Sequence, residues 1–210
     1  MPDFSIEEIN DMVISAYNSI AKSYTDAYGK YDIEDAKHLD KFVALLSGKC
    51  VLDIGCGTGG NTSYLVNKGL DVCGIDASEN MLNIAKEMFP DIKFDKQDIL
   101  HTSFSDTTFN GIVLSYVINH FNTDGLVILR NEIDRILKPN GMLYISAHVG
   151  DSEEVVNDPL DASIHIYYNF LSLKKIDLLF SKYSREYYFT RPSFGKEEFL
   201  CDKMFIIYRK

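Results

Sequence analysis

The chain has 210 residues, of which 46% are hydrophobic and 25% charged, and its formal net charge is -10. This length and composition are typical of one globular domain with a sizeable core. The negative charge disfavours a nucleic-acid partner, because an acidic protein repels phosphate backbones and no run of Lys or Arg forms a basic patch.

Membrane, secretion and metal-binding signals are not found in the sequence. No stretch approaches the ~20 apolar residues that a membrane span needs, and the first residues, MPDFSIEEINDM, lack the pattern of a signal peptide. The four cysteines form neither a CxxC pair nor a cluster with zinc-ligand spacing. We therefore expect a cytoplasmic protein with reduced thiols, no metal site and no membrane partner.

Two helices and then an alternation of strands and helices are predicted along the chain. Apolar residues with helical spacing predict helices over 5–23 and 34–47. Short apolar runs predict strands at 49–54, 70–76, 91–98, 109–117 and 141–149. Helices are predicted between them at 60–68, at 79–89 with Ser78 as cap, and from Asp124 to Leu137. This alternation predicts a parallel sheet with helices on both faces.

The last third of the chain departs from this alternation. Residues 150–171 have no clear period, and 172–182 predict one more helix. SREYYFTRP (184–192) and KMFIIYRK (203–210) predict two antiparallel strands that close the sheet. Without a repeat or a linker, the simplest prediction is a single domain over 1–210.

The candidate site lies where the parallel strands end. Ligands in such sheets bind beyond the carboxyl ends of the strands, and Gly55, Asp76, Asp98, Ser115 and His148 fall there. The stretch VLDIGCGTGG (51–60) predicts a strand, then a glycine turn that lets a ligand approach the backbone. The helix that follows favours a carboxylate or phosphate at its N-terminus.

The glycine turn alone leaves two cofactor classes open. A carboxylate at Asp76, the end of the second strand, can accept both hydroxyls of a ribose, so a nicotinamide dinucleotide fits nearly as well as an adenosyl cofactor. The spacing Asp53-x-Gly55-x-Gly57-x-Gly59 differs from GxGxxG, and an acid stands where dehydrogenases usually keep the strand apolar. These details favour the adenosyl cofactor.

Six motifs resemble those of the class I S-adenosylmethionine-dependent methyltransferases. They are VLDIGCGTGG, GIDASENML (74–82), KQDIL (96–100), SFSDTTFNGIVLSYVINHF (103–121), LKPNGMLYIS (137–146) and the leader YNSIAKSYTDAYG (17–29). Two departures are Phe109-Asn110 in place of Phe-Asp, and Asn140 in place of the first glycine of Pro-Gly-Gly. Asn tolerates a left-handed backbone, so we still expect a turn at Asn140.

The resemblance implies an α/β fold: a Rossmann-like, seven-stranded, mostly parallel sheet in the order 3-2-1-4-5-7-6, with strand seven antiparallel. It implies S-adenosylmethionine as cofactor, S-adenosylhomocysteine as product, and N-terminal helices (1–47) over the cofactor site. Asp76 would hold the ribose, Met81 and Ile99 would contact the adenine, and Asp98 would accept from its amino group. The expected cofactor contacts are Tyr17, Tyr24, Asp53, Gly55, Cys56, Gly57, Asp76, Ala77, Met81, Asp98, Ile99 and Ser115. For Asp53 two roles stay open, a water-mediated contact with the cofactor amine or a brace for the glycine turn.

Catalytic residues are less constrained, because alignment of nucleophile, methyl and sulfur can supply most of the rate of a methyl transfer. Where the nucleophile carries a proton a general base is needed, and the candidates are His120, His148 and Tyr116. The alternative is that His120 caps a loop and His148 packs beneath it.

The segment 150–171 is expected to be an insertion on the substrate side. From Pro139 to Leu173 the chain holds no Lys or Arg, but several carboxylates and the aromatic residues Tyr167, Tyr168 and Phe170. One hypothesis is a lid that favours a cationic or amine-bearing aromatic substrate, and the other is a solvated acidic loop over an aromatic core. The sequence thus predicts a methyltransferase acting on a small molecule. Its alternatives are a non-catalytic S-adenosylmethionine-binding protein and a nicotinamide-dependent oxidoreductase, and the oligomeric state is left open.

Overall fold

The structure, a computed structural model, describes residues 4–28, 33–194 and 199–210. Gly29, the last residue of the leader motif, lies outside them. The helices are α1 (Ile6–Tyr28), α2 (Ile33–Leu45), α3 (Gly60–Asn67), α4 (Glu79–Met88), α5 (Thr123–Ile136) and α6 (Leu173–Leu179), with a 3₁₀ turn at Ile118–His120. The strands are β1 (Cys50–Ile54), β2 (Asp71–Asp76), β3 (Lys93–Lys96), β4 (Phe109–Ser115), β5 (Leu137–His148), β6 (Glu153–Asn157), β7 (His165–Asn169), β8 (Ser184–Arg191) and β9 (Lys203–Arg209). Among these residues, no helix combines the length and the apolar character needed to cross a membrane.

Seven of the strands form one sheet in the order β3-β2-β1-β4-β5-β9-β8. The first five are parallel, and β9 runs antiparallel between β5 and β8. This confirms the predicted Rossmann-like class and order, with the last two strands numbered 8 and 9 because β6 and β7 precede them. The turn at Asn140 also forms, with φ 60.

The sheet buries a hydrophobic cluster on each face, as the alternation of side chains along a strand requires. On one face, Leu52 and Ile54 of β1 pack with apolar residues of α5 and α6. On the other face, Val51 packs with α2 and α3. The two layers of helices hold the sheet rigid, so the loops at its carboxyl edge have fixed positions.

A two-stranded hairpin, β6–β7, is the element that the sequence did not predict. It lies in 150–171, and its strand β7 packs Ile166 and Tyr168 against Ala16 of α1. The sequence of β6 does not show the alternation of apolar and polar residues that predicts a strand, because most of its residues are exposed. Other differences concern boundaries: α1 continues to Tyr28, β4 ends at Ser115, and β5 begins at Leu137 rather than at 141.

Asn119 ties the 3₁₀ turn to the hairpin and to the end of β5. Its side chain is fully buried, donates to the carbonyls of Asn169 (2.6 Å) and His148 (3.1 Å), and accepts from the His148 amide (2.9 Å). Three hydrogen bonds thus fix the segment that follows β4.

Replacing Asn119 by alanine is expected to lower the free energy of unfolding by ~3 kcal/mol, because buried backbone groups lose their partners. Urea unfolding followed by circular dichroism measures the change. Asn67→Ala, at an exposed position on α3, is the control and should change stability by less than ~0.5 kcal/mol. A loss for Asn119→Ala no larger than the control's would show that the turn is not held this way.

Candidate functional site

A cavity of about 870 Å³ opens at the carboxyl edge of the sheet, beneath α1. Its volume lies in the range of roughly 300–1,000 Å³ that is usual for small-molecule sites. Four groups of residues line it: one face of α1, the loops after β1 and β2, the loop after β3, and the segment after β4. Among the predicted site residues, the lining includes Tyr17, Tyr24, Gly55, Gly57, Asp76, Ala77, Met81, Asp98, Ile99, Ser115, Tyr116 and His120.

The glycine loop after β1 has the backbone conformation that its sequence requires. Gly55, Gly57 and Gly59 have φ of +67°, +54° and +84°, values that side chains disfavour. The amides of Gly55 and Cys56 both donate to the Ile75 carbonyl, at 2.8 and 3.0 Å. A Cβ on Gly57 would have Tyr24 Cε1 as its nearest neighbour, at 3.8 Å. The loop therefore leaves open space beside its backbone.

Asp76, at the end of β2, links this loop to the start of α4. Its carboxylate accepts from the Gly57 amide (2.9 Å) through Oδ2 and from the Ser78 amide (2.8 Å) through Oδ1. Ser78 in turn caps α4, because its hydroxyl accepts from the Met81 amide. Burial raises the pKa of Asp76, although backbone hydrogen bonds oppose this. Each carboxylate oxygen keeps a second lone pair that can accept from a ligand.

Asp98 lies on the loop after β3 and is more exposed. Its Oδ1 accepts from the Leu100 amide at 2.9 Å, and its Oδ2 lies 3.2 Å from His101 Nδ1. Ile99 is half-buried and Met81 is buried, and both line the cavity. The structure thus brings Asp76, Met81, Asp98 and Ile99 to the wall of one cavity.

Helix α1 forms the roof and is fixed to the start of α4. The Asn18 side chain accepts from the Ser78 hydroxyl (2.8 Å) and the Asn80 amide (3.1 Å), and its carbonyl accepts from the Asn80 side chain. Tyr24 lies over the glycine loop, and burial and nearby carboxylates, Asp76 first, raise its pKa to about 12. The N-terminal helix therefore covers the same loops that Asp76 organises.

Two of the predicted contacts, Asp53 and Cys56, do not line the cavity. Asp53 is buried and its Oδ2 accepts from the Thr62 hydroxyl at 2.6 Å, so in the structure it braces the start of α3. Cys56 is buried, and its Sγ lies against the position a Cβ of Gly74 would take. Asp53 and Cys56 thus pack against α3 and β2 rather than forming part of the cavity lining.

Stability is expected to depend on pH through Asp53. Burial raises its pKa to about 7, whereas an unfolded aspartate has a pKa of about 3.9. The native state therefore keeps this proton up to a higher pH than the unfolded state does. The stability that the protonated Asp53 contributes is fully present below about pH 4 and is lost as the pH rises towards 7.

Asp53→Asn removes the ionisation while the amide oxygen still accepts from Thr62. Between pH 5 and 7 the variant should gain ~1.4 kcal/mol of stability per pH unit relative to the wild type, as urea unfolding at each pH measures. Asp71→Asn, an exposed position on β2, is the control. Parallel stability curves for wild type and Asp53→Asn would contradict the prediction.

His120 and Tyr116 line the cavity in the segment after β4. Tyr116 has φ 58, rare for a side chain of this size, and its amide donates to the Ser146 carbonyl (2.9 Å). His120 is buried, and its Nε2 lies 2.8 Å from the Tyr17 hydroxyl while its Nδ1 lies 3.1 Å from the Tyr167 carbonyl. Burial lowers the pKa of His120 to about 4.

His148 does not face the cavity, contrary to the sequence-based expectation. It is buried at the end of β5, its Nδ1 lies 2.7 Å from the Tyr168 hydroxyl, and burial holds its pKa well below the usual range. It packs behind the wall because the hairpin, which the sequence did not reveal, covers it. His148 is therefore a buried neighbour of the lining residue Tyr116 rather than part of the lining.

The segment 150–171 contributes no described residue to the cavity lining. Tyr167 and Tyr168 are buried against α1 and the 3₁₀ turn, whereas Asp151, Glu154 and Asp161 are exposed. This geometry removes the basis for an acidic lid that selects cationic substrates. The segment packs against α1, which lines the cavity, without lining the cavity itself.

Several lining residues were missed in the sequence. Ile6, Asn10, Val13 and Ile14 line the cavity from one face of α1. Their spacing, i, i+4, i+7 and i+8, was a signal for a second functional face on this helix. Asn18 and Asn119 carried no signal, because their partners are distant in sequence.

The cavity wall carries more negative than positive charge. Its carboxylates among the described residues are Glu7, Asp11, Asp76 and Asp98. Lys96 also lies there, but its Nζ is paired with Glu79 at 3.1 Å. Such a wall suits a cationic ligand better than an anionic one.

Comparison with known families shows what the segment that forms this site is similar to. Residues 51–141, which contain the glycine loop, Asp76 and Asp98, match the family model described as a methyltransferase domain. The part of the chain that forms the site is thus similar to a methyltransferase domain. Helix α1, which covers the cavity, and the hairpin, which packs against α1, lie outside the matched residues.

Two curated relatives of the chain have the same name. The chain is 28% identical over 202 residues to a demethylmenaquinone methyltransferase of Staphylococcus aureus, covering 90% of this chain and 81% of the relative. It is 26% identical over 146 residues to a demethylmenaquinone methyltransferase of Renibacterium salmoninarum, covering 68% of this chain but only 61% of that relative. At this distance the relatives' substrates are not carried over directly.

Solved structures share the fold. The 1,6-didemethyltoxoflavin-N1-methyltransferase of Burkholderia thailandensis, solved with 1,6-didemethyltoxoflavin and S-adenosylhomocysteine, has a TM-score of 0.79 and 16% identity, over 100% of this chain and 92% of that one. An S-adenosylmethionine-dependent methyltransferase of Methanosarcina mazei has a TM-score of 0.72 and 18% identity, over 81% of this chain and 96% of that one. At these identities the likeness concerns the fold.

Proposed function

We propose that this protein transfers a methyl group from S-adenosylmethionine to an uncharged, ring-bearing small molecule. The observation that carries the proposal is the carboxylate of Asp76, which joins the Gly57 amide to the start of α4 at the wall of the cavity. A ribose needs a buried carboxylate with spare lone pairs, and an adenosyl group needs an apolar slot beside it.

The residues present fit this cofactor. Asp76 would bind the ribose hydroxyls, and Met81 and Ile99 would form the apolar slot for the adenine, with Asp98 accepting from its amino group. The open space beside Gly57 would receive the methionine end of the cofactor, with Tyr24 above it. The acidic wall favours the sulfonium charge.

When bound, this cofactor supplies an electrophilic methyl group on sulfur. The chain itself would do three things: hold the cofactor at the strand ends, align the methyl acceptor along the bond from sulfur to methyl, and exclude water beneath α1. Buried, neutral His120 is a poor base, and no lining group stands out as a strong one, so alignment would supply most of the rate.

The part of the cavity between α1 and the segment after β4 would receive the methyl acceptor. Its apolar lining residues are Ile6, Val13 and Ile14 of α1, Val117 and Phe121 after β4, and Ile128 of α5. These apolar side chains, with the ring of Tyr17, favour a flat, uncharged molecule. The names of the relatives agree with a ring-bearing acceptor. One group of curated relatives is named for demethylmenaquinone, and one structural neighbour was solved with 1,6-didemethyltoxoflavin.

Calorimetry with S-adenosylhomocysteine and with NAD tests the cofactor, and transfer of labelled methyl to a panel of aromatic hydroxyl and ring N–H compounds tests the activity. We expect micromolar binding of S-adenosylhomocysteine, no binding of NAD, and turnover of at least one compound. Binding of NAD alone would overturn the proposal in favour of an oxidoreductase. Cofactor binding without turnover of any compound would favour a non-catalytic binding protein.

A further inference from the structure

The hydrogen bonds of His120 fix where its proton lies. Its Nδ1 lies 3.1 Å from the Tyr167 carbonyl, and a carbonyl oxygen only accepts, so Nδ1 must carry the proton. In a neutral imidazole, Nε2 is then an acceptor. The group 2.8 Å from Nε2 is the Tyr17 hydroxyl, which therefore donates its proton to the histidine.

This arrangement also fixes the polarity of the Tyr17 hydroxyl. Its single proton is directed at His120, and the two rings meet edge-on with centroids 5.3 Å apart. Tyr17 lines the cavity. Towards a ligand in the cavity, the Tyr17 oxygen thus has lone pairs to offer and no proton.

We propose that Tyr17 selects the molecule to be methylated, here called the substrate, by accepting a hydrogen bond from an N–H or O–H group of that molecule. This inference rests on the proposed function. It adds a chemical requirement, because the substrate must bind with a proton on the nitrogen or oxygen that meets Tyr17. His120 is a positioning residue that acts through Tyr17, not a catalytic base.

The hairpin β6–β7 holds His120 in the orientation in which it accepts from the Tyr17 hydroxyl. The Tyr167 carbonyl belongs to β7, and the next residues of β7 are tied to the segment after β4, since Asn169 donates to the Phe121 carbonyl (2.9 Å) and accepts from Asn119. Tyr168 packs edge-on against His120, with centroids 4.9 Å apart. The imidazole is therefore held by a hydrogen bond at each ring nitrogen and by the Tyr168 ring.

A base role for the pair fits the geometry less well. Nε2 of His120 already accepts the hydrogen bond of the Tyr17 hydroxyl. A proton from the substrate could therefore reach His120 only if Tyr17 first transferred its own proton to Nε2. Burial lowers the pKa of His120 to about 4 and holds the pKa of Tyr17 well above its ordinary value. Both shifts oppose that transfer at neutral pH.

Two naphthalene probes that differ by one methyl group measure the selection, because their difference in size is the same in every variant compared. 1-Naphthol carries an O–H donor, and 1-methoxynaphthalene only accepts, so the ratio of their affinities for the complex with S-adenosylhomocysteine reports the hydrogen bond. Tyr17→Phe should lower the preference for 1-naphthol about fivefold, the factor for a neutral hydrogen bond of ~1 kcal/mol. Tyr183→Phe, which removes a hydroxyl that donates to Asp134 away from the cavity, should leave the ratio unchanged.

Variants of His120 separate positioning from packing. In His120→Leu the Tyr17 proton is released and can donate to the methoxy oxygen, so the preference for 1-naphthol should fall about fivefold. His120→Gln retains an oxygen that accepts from Tyr17 and should keep more of the preference. A purely structural role would weaken both probes equally and leave the ratio as in the wild type.

Nitrogen-15 NMR of the imidazole rings tests the tautomer in the unmodified protein, with the signals of His120 assigned by their loss in His120→Gln. We expect a protonated Nδ1 and an unprotonated Nε2. The opposite tautomer, or an unchanged probe ratio in Tyr17→Phe, or failure of 1-naphthol to bind the complex, would overturn the inference. Failure of the wild type to bind S-adenosylhomocysteine would instead overturn the proposed function.

Discussion

Replacing Asp76 by alanine is expected to weaken the binding of S-adenosylhomocysteine by roughly 30- to 150-fold, or ~2–3 kcal/mol, measured by calorimetry. Two losses combine in this variant. The carboxylate would no longer bind the ribose hydroxyls, and the Gly57 and Ser78 amides, 2.9 and 2.8 Å away, would lose the acceptor that holds the loop and α4 together.

The control for this prediction is Asp95→Ala on β3. Asp95 belongs to the neighbouring strand and pairs with Lys93 at 3.3 Å, outside the cavity lining. Its removal should leave the affinity within about twofold, since an exposed ion pair contributes less than ~1 kcal/mol even to stability. Unchanged affinity in Asp76→Ala would show that the ribose does not bind at the end of β2.

Gly55→Ala is expected to destabilise the protein by ~2–5 kcal/mol in urea unfolding. A Cβ at Gly55 would lie 2.3 Å from Val117 Cγ2, and the residue would keep a φ of +67°. Overpacking costs ~1–3 kcal/mol and a left-handed backbone ~1–2 kcal/mol. Gly60→Ala, where no heavy atom lies within 4 Å of the added Cβ, is the control and should be neutral or slightly stabilising.

Gly57→Ala should behave differently from Gly55→Ala. Its Cβ meets nothing closer than Tyr24 Cε1 at 3.8 Å, so only the strain of a φ of +54° remains, ~1–2 kcal/mol. The Cβ would instead occupy the open space beside the loop, and the affinity for S-adenosylhomocysteine should fall more than tenfold. Equal losses of stability in the two variants, or retained affinity in Gly57→Ala, would contradict this account of the loop.

The sheet could be predicted from the sequence because its signals are local. β1, β2 and β4 are short apolar runs bounded by turn residues, which predict strands. The glycines at 55, 57 and 59 are typical of a loop with a left-handed backbone. Asp76 and Asp98 stand at strand ends, where a parallel sheet gathers them. The order of strands came from the resemblance to a family.

The substrate side could not be predicted, because its contacts are long-range. The partners of Tyr17 and Asn119 lie 103 and 50 residues away, and neither pair has a spacing pattern. Strand β6 is mostly exposed and lacks alternation, so the hairpin is defined by what it packs against. Without the hairpin, His148 at the end of β5 looked accessible, although Tyr168 covers it.

The position of α1 in the chain has a consequence for synthesis. This helix is translated before the groups it packs against, and His120 follows Tyr17 at a separation of 103 residues. At about 5–20 residues per second, the ribosome takes roughly 5–20 s to go from Tyr17 to His120. During that time its apolar face, with Ile9, Ala16 and Ile20, is uncovered. The roof of the cavity is thus translated before the wall segments against which it packs.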